Sequence, residues 1–139
     1  MPEAGWEHYD HPADVGIRVW GPDLGAALEQ AGLALTAVVT DPGEVIPRES
    51  VTVRFPGTDP ELLLVDWLDA LIFEMGTRRM LFSRFEVTAE EEGIRGTAWG
   101  EPVDVARHKP AVEVKGATLT DLKAERLDGG WRLQCVVDV

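Results

Sequence analysis

Residues 81–99, LFSRFEVTAEEEGIRGTAW, decide how the fold is read. Apolar side chains gather at 81–87 and again at 94–99, and between them stands Glu92-Gly93, a pair suited to a tight hairpin turn. Strands joined so closely are antiparallel neighbours. The same texture continues downstream: 103–107, 111–115, 119–127 and 131–139 read as further strands, separated by short turns that include Asp128-Gly129-Gly130. Upstream the pattern is mixed. Val15, Ile17 and Val19 alternate with Gly16, Arg18 and Trp20 in a strand with one buried face that stops at Gly21-Pro22, and Val51, Val53 and Phe55 alternate in the same way. Between these strands Asp23 is placed to cap a helix whose stripe is Leu24, Ala27, Leu28, Ala31, Ala34, Leu35 and Val38, ending near Asp41-Pro42-Gly43. Thr58-Asp59-Pro60-Glu61 starts a second helix over 62–75, with Gly76 as its stop. Its run LLLVDWLDALIF is apolar nearly all round and predicts a helix buried between layers. Two helices among mostly antiparallel strands make an α+β fold, with the helices packed on a curved or doubled sheet. A doubly wound parallel sheet fits less well, because strand and helix stop alternating after the second helix.

A chain of 139 residues, 45% hydrophobic, has the size of one domain spanning 1–139, able to bury roughly two thirds of the surface it exposes when unfolded. No repeat or low-complexity segment divides it. Thirteen Lys and Arg against 25 Asp and Glu leave a formal charge of -12. Phosphate binding depends on neutralisation by cations, so direct binding of nucleic acid is not expected, whereas cations or a basic protein surface are favoured. The single cysteine, Cys135, has no partner for a disulfide or a zinc motif. Residues 1–9 carry neither a basic start nor an apolar run, and no stretch is apolar for the roughly 18 residues of a membrane helix. These features predict a cytoplasmic protein without membrane attachment.

Few residues carry recognisable chemistry. In the last strand Trp131, Leu133, Cys135 and Val137 share one face, and Arg132, Gln134, Val136 and Asp138 the other. Asp138 is followed only by Val139, which sets a terminal carboxylate one residue from an Asp side chain. Such a pair suits a hard cation, or simply a solvated end. His11-Pro12-Ala13-Asp14 places an imidazole and a carboxylate at the entry of a buried strand, where turn chemistry explains them better than function does. Glu101 after Gly100 and Lys115 before Gly116 are isolated charges beside glycines. Asp66 and Asp69 interrupt the second helix at a spacing that puts both on one solvated face. A Gly-rich phosphate loop, a helical metalloprotease motif and a nucleophile elbow are all missing, and His8, His11 and His108 are too scattered for a zinc site. No catalytic residue is assigned, and Cys135 reads as a small buried hydrophobe.

HPADVGI at 11–17, LLVDWLDALIF at 63–73, GE after Trp99, VKGATL at 114–119 and GGWRLQCVVDV at the end together resemble the archease family, in the family's order and almost end to end. The resemblance implies an α+β fold and a divalent cation held by Asp14, Asp138 and the main-chain oxygen or carboxylate of Val139. Oxygen-only ligands agree with Ca²⁺, Mg²⁺ or Mn²⁺. It further implies an activator of the RtcB-type RNA ligase of tRNA splicing, one that helps the ligase complete guanylylation and turn over while the ligase performs the chemistry. Glu101 and Lys115 are family-like positions for a second shell around the ion or for contact with the ligase. Pro12 stands where the family usually has Thr, and 114–120 reads VKGATLT where VKAATYH is common, so no imidazole stands at position 120. A metal-dependent hydrolase built on Asp14, Asp138 and a bound water is an alternative. A chaperone-like interaction protein is another.

Overall fold

The computed structural model describes residues 3–139; Met1 and Pro2, which begin the segment 1–9 read above, lie outside the described residues. Strands β1 (Gly5–His11) and β2 (Asp14–Gly21) lead into helix α1 (Leu24–Val39). After a short 3-10 turn come strand β3 (Glu49–Pro56), helix α2 (Pro60–Arg78) and the hairpin of β4 (Met80–Glu90) and β5 (Gly93–Pro102). A one-turn helix α3 (Val105–His108) precedes β6 (Gly116–Ala117), β7 (Lys123–Leu127) and β8 (Gly130–Asp138). The strands form two antiparallel sheets. One runs β1-β2-β8-β6, with β7 also paired to β8, and the other runs β3-β5-β4. The fold is α+β on a doubled sheet.

Local chemistry starts the helices where expected. Asp23 caps α1 by accepting from Ala26 N at 2.7 Å, and Asp59 caps α2 through Glu61 N at 3.0 Å, with Pro60 in the first turn. The core lies between helices and sheets. Trp67 of α2 sits at its centre, fully buried; its indole N–H donates to Leu28 O of α1 at 2.7 Å, and its ring meets Phe55 and Phe85 at centroid distances of 6.5 and 6.1 Å. Gly96 of β5 lies directly under this indole, and any side chain there would overlap the ring. Thr36 ties α1 to the second sheet by donating to Phe82 O at 2.7 Å.

Several expected elements differ. The stretch 103–107 is not a strand: Asp104 accepts from Arg107 N at 3.2 Å and closes the turn of α3. Residues 111–115 form no ladder either; they are tied only at their ends, by Ala111 N to Val39 O and Lys115 N to Asp138 O, both 2.8 Å. Of 119–127, only Lys123–Leu127 is strand, because Asp121 at φ 56 turns the chain just before it. Helix α2 passes Gly76 and ends where Arg79 adopts φ 54. Strand β1, unassigned from sequence, forms because β2 offers it a full antiparallel register, Gly5↔Trp20 to His11↔Asp14. Nor is α2 buried all round: Leu63, Leu64, Trp67, Leu68 and Leu71 face the core, whereas Phe73 is 66% exposed. Among the described residues, no helix is long and apolar enough to cross a membrane.

Candidate functional site

Strand β8 lies between β2 and β6, and this placement assembles the end of the first sheet. Val15 pairs with Val137, so Asp14 stands one rank further along, beside Asp138, and Asp138 in turn pairs with Gly116 of β6. Val137 is fully buried, so by strand alternation the exposed Asp138 points away from the core. The chain then bends to Asp14: Val139 N donates to Asp14 Oδ1 at 3.3 Å, across 125 residues of sequence. Lys115 N donates to the carbonyl of Asp138 at 2.8 Å. Neither Asp14 nor Asp138 takes part in an ion pair among the described residues.

His11 faces Asp14 across the turn Pro12-Ala13, in which Ala13 has φ 65, and its Nδ1 is a buried atom without a hydrogen-bond partner. Among the described residues, no three His, Cys, Asp or Glu side chains converge into a metal cage. The ligand set that the resemblance implies, Asp14, Asp138 and a Val139 oxygen, thus consists of two carboxylates on adjacent strands and one main-chain or terminal oxygen. Two uncompensated anions with carbonyl oxygen suit a hard divalent cation, whose shell tolerates water in the remaining positions.

Glu101 belongs to a different constellation. It is 1% exposed, and its carboxylate accepts from Ile46 N at 2.7 Å, Arg48 Nη2 at 2.8 Å, Arg107 Nη2 at 2.8 Å and His108 Nε2 at 3.0 Å. The Ile46 N–H bond, against the opposing cost of burial and with help from Arg107 and His108, holds the carboxyl at about 2. His108 is oriented from its other side, Nδ1 accepting from Asp104 N at 2.8 Å. This hub binds the entry of β3 and helix α3 to the end of β5. It makes no hydrogen bond to Asp14, Asp138 or Val139, and so little of Glu101 reaches the surface that it presents no face to a partner.

Lys115, by contrast, stays beside the terminal row. Its main chain holds Asp138, and its side chain is exposed. Asp69, grouped above with Asp66 on a solvated face, also reaches this end, because its Oδ1 accepts from Ala117 N at 2.9 Å and pins α2 to β6. Cys135 is fully buried, and burial raises its thiol to about 12, so it remains a protonated hydrophobe. The roles of Asp69 and Arg48 escape sequence reading because their partners lie 48 and 53 residues away, and those of Arg107 and His108 because it takes the turn of α3 to bring them back onto Glu101. The single local signal was Glu101 itself, a carboxylate set between apolar strands that demands compensation somewhere.

Comparison with known proteins agrees with this architecture. Residues 6–139 match the family described as Archease protein family (MTH1598/TM1083). The chain is 42% identical over 138 residues to a protein archease of Methanopyrus kandleri, covering 96% of this chain and 99% of that one. It is 37% identical over 139 residues to a protein archease of Pyrococcus furiosus, covering 96% and 98%. Among solved structures, protein 1598 of Methanobacterium thermoautotrophicum superposes with a TM-score of 0.84 at 34% identity, covering 97% of this chain and 99% of that one. A protein from Thermotoga maritima, described as an archease and possible chaperone, superposes with a TM-score of 0.66 at 18% identity over 96% of each chain, a likeness of fold.

Proposed function

The chain belongs to the archease family, and on that premise we propose that it is a protein cofactor of an RtcB-type RNA ligase in tRNA splicing or RNA repair, promoting guanylylation and turnover without catalysing ligation. The observation that carries this reading is the terminal row, in which Asp14 stands beside Asp138 and holds the main chain of Val139. Asp14, Asp138 and a Val139 oxygen would bind one divalent cation, Ca²⁺, Mg²⁺ or Mn²⁺. When bound, the ion supplies a positive centre that neutralises the two carboxylates and accepts further oxygen ligands. The chain's own part is to keep both carboxylates on adjacent strands, with Lys115 N and Gly116 of β6 steadying Asp138. A formal charge of -12 supports a protein partner over RNA, since the RNA-handling ligase would present the basic surface. The site of action is then the cytoplasm, beside the ligase. The hydrolase alternative gains nothing from the geometry, because no general base is bonded to either Asp.

Multiple-turnover ligation of a 3′-phosphate RNA with GTP tests the reading. Adding this protein to a ligase from the same source should raise turnover, and Asp14→Ala should abolish the rise and weaken Ca²⁺ or Mn²⁺ binding by calorimetry while circular dichroism stays unchanged. Equal ligase rates with and without a several-fold excess of the protein would overturn the activator role. Unchanged titrations for Asp14→Ala would remove Asp14 from the ligand set.

A further inference from the structure

The exposed back of α2 borders a groove of about 570 Å³ floored by Ile72, Met75, Met80 and Val114. Phe73, 66% exposed, and Val112, 40% exposed, also line it. Large apolar side chains left in water around a concave surface mark a contact site more often than scattered single ones do. A second observation concerns the main chain. Residues 111–115 are bonded only through Ala111 N and Lys115 N, so the N–H groups of Val112, Glu113 and Val114 donate to no backbone carbonyl and no side chain among the described residues. Laid against an added strand, successive N–H groups turn to opposite edges, so the amides of Val112 and Val114 would bond it while that of Glu113 points away; in strand addition such main-chain bonds give affinity and side-chain pockets give selectivity.

Charge narrows the occupant. Lys115 lines the groove, and Arg79 and Lys109 adjoin its lining residues Met80 and Pro110; none of the three is in an ion pair among the described residues. Glu113 also lines the groove and is in no ion pair among the described residues, so the rim sets three unpaired cations against one unpaired carboxylate, a local cationic excess in a molecule of charge -12 that suits a carboxylate on the incoming segment. A second copy of this chain would bring another -12 and be repelled. The groove also touches the terminal row, because Lys115 is both its wall and the donor to Asp138. We propose that this groove is where the partner ligase docks, laying an extended apolar segment with an Asp or Glu along 112–114; the proposal rests on the activator reading above. Docking there would order the residue that steadies Asp138, coupling the partner to the candidate metal site.

Hydrogen exchange on the protein alone and with saturating ligase gives the test, together with binding of Phe73→Asp and Val112→Asp, two exposed positions whose substitution spares the core. Complex formation should slow exchange at the amides of Val112 and Val114 at least tenfold, and at that of Glu113, on the opposite edge, much less. Each variant should weaken the complex at least tenfold while keeping native circular dichroism and unchanged Ca²⁺ titration. A complex that forms with the amides of Val112 and Val114 exchanging as freely as before, or that tolerates both variants, overturns the docking site and leaves the activator reading standing. Absence of any complex overturns both.

Discussion

At the scale of single residues, Glu101 and Asp14 show opposite treatments of a carboxylate. Glu101 is withdrawn from water and surrounded by donors, so its charge is a structural element; Asp14 and Asp138 are left without cations at a sheet end, so theirs is available. A stability effect follows for Glu101, with a definite sign. Its carboxyl is lowered from the ordinary 4.5 to about 2, so the folded state favours the ionised form. That contribution is fully present above the ordinary 4.5 and is lost progressively as pH falls through the folded value of about 2, below which both states are protonated. Thermal melts between pH 7 and pH 2.5 should show melting temperature falling through this window. Glu101→Gln should melt several degrees lower at pH 7, because the charge facing Arg48 and Arg107 is lost and one of the two accepting oxygens becomes an NH2 donor directed at donors, and should show a flatter acid limb. An acid limb of undiminished slope in Glu101→Gln would assign the pH dependence to other groups. From sequence, Glu101 was visible as an isolated charge; its four donors were not, since Ile46 and Arg48 lie 55 and 53 residues away and Arg107 and His108, though near in the chain, reach it only through the turn of α3.

At the scale of elements, α2 carries the core. The indole of Trp67 joins it to α1 through Leu28 O, to β3 through Phe55 and to β4 through Phe85, and Gly96 leaves the space it fills. Removing a fully buried aromatic of this kind costs about 3–5 kcal/mol through lost burial and a residual cavity. Urea unfolding of Trp67→Ala should show its midpoint lowered accordingly. If both sheets and both helices make one cooperative unit, circular dichroism and the fluorescence of the remaining tryptophans will report a single coincident transition. A Trp67→Ala protein that loses less than about 1 kcal/mol would mean that the neighbouring side chains collapse into the space. The composition of α2 revealed only part of its orientation, because Asp66 and Asp69 mark one solvated face while the rest of LLLVDWLDALIF is apolar nearly all round. Only the position of the sheets and of α1 selects Leu64, Trp67 and Leu68 for the core and leaves Phe73 in solvent. The runs 103–107 and 111–115 were misread for a related reason: an apolar run specifies burial or contact, but a strand also needs a neighbour with open hydrogen bonds at the right register.

At the scale of the whole molecule, the charge of -12 governs what approaches. RNA association is driven by counterion release at cationic surfaces, which this protein lacks as a whole, so a gel-shift titration with tRNA halves at physiological salt should show no binding below micromolar concentrations. Salt-sensitive, submicromolar binding by the protein alone would contradict the division of labour proposed above. Charge is a sum over residues and needs no structure to evaluate. The sequence by itself likewise determined the helix starts at Asp23 and Asp59, the hairpin of β4 and β5 and the α+β class, because caps, turns and strand alternation depend on residues only a few positions apart. The tertiary structure alone decided that Asp14 stands beside Asp138, that Glu101 is closed within a ring of donors, and that the back of α2 and the open amides of 112–114 share one groove. Each of these depends on the pairing and packing of segments distant in the chain, and such pairings are chosen by the energy of the assembled core, which no local stretch contains.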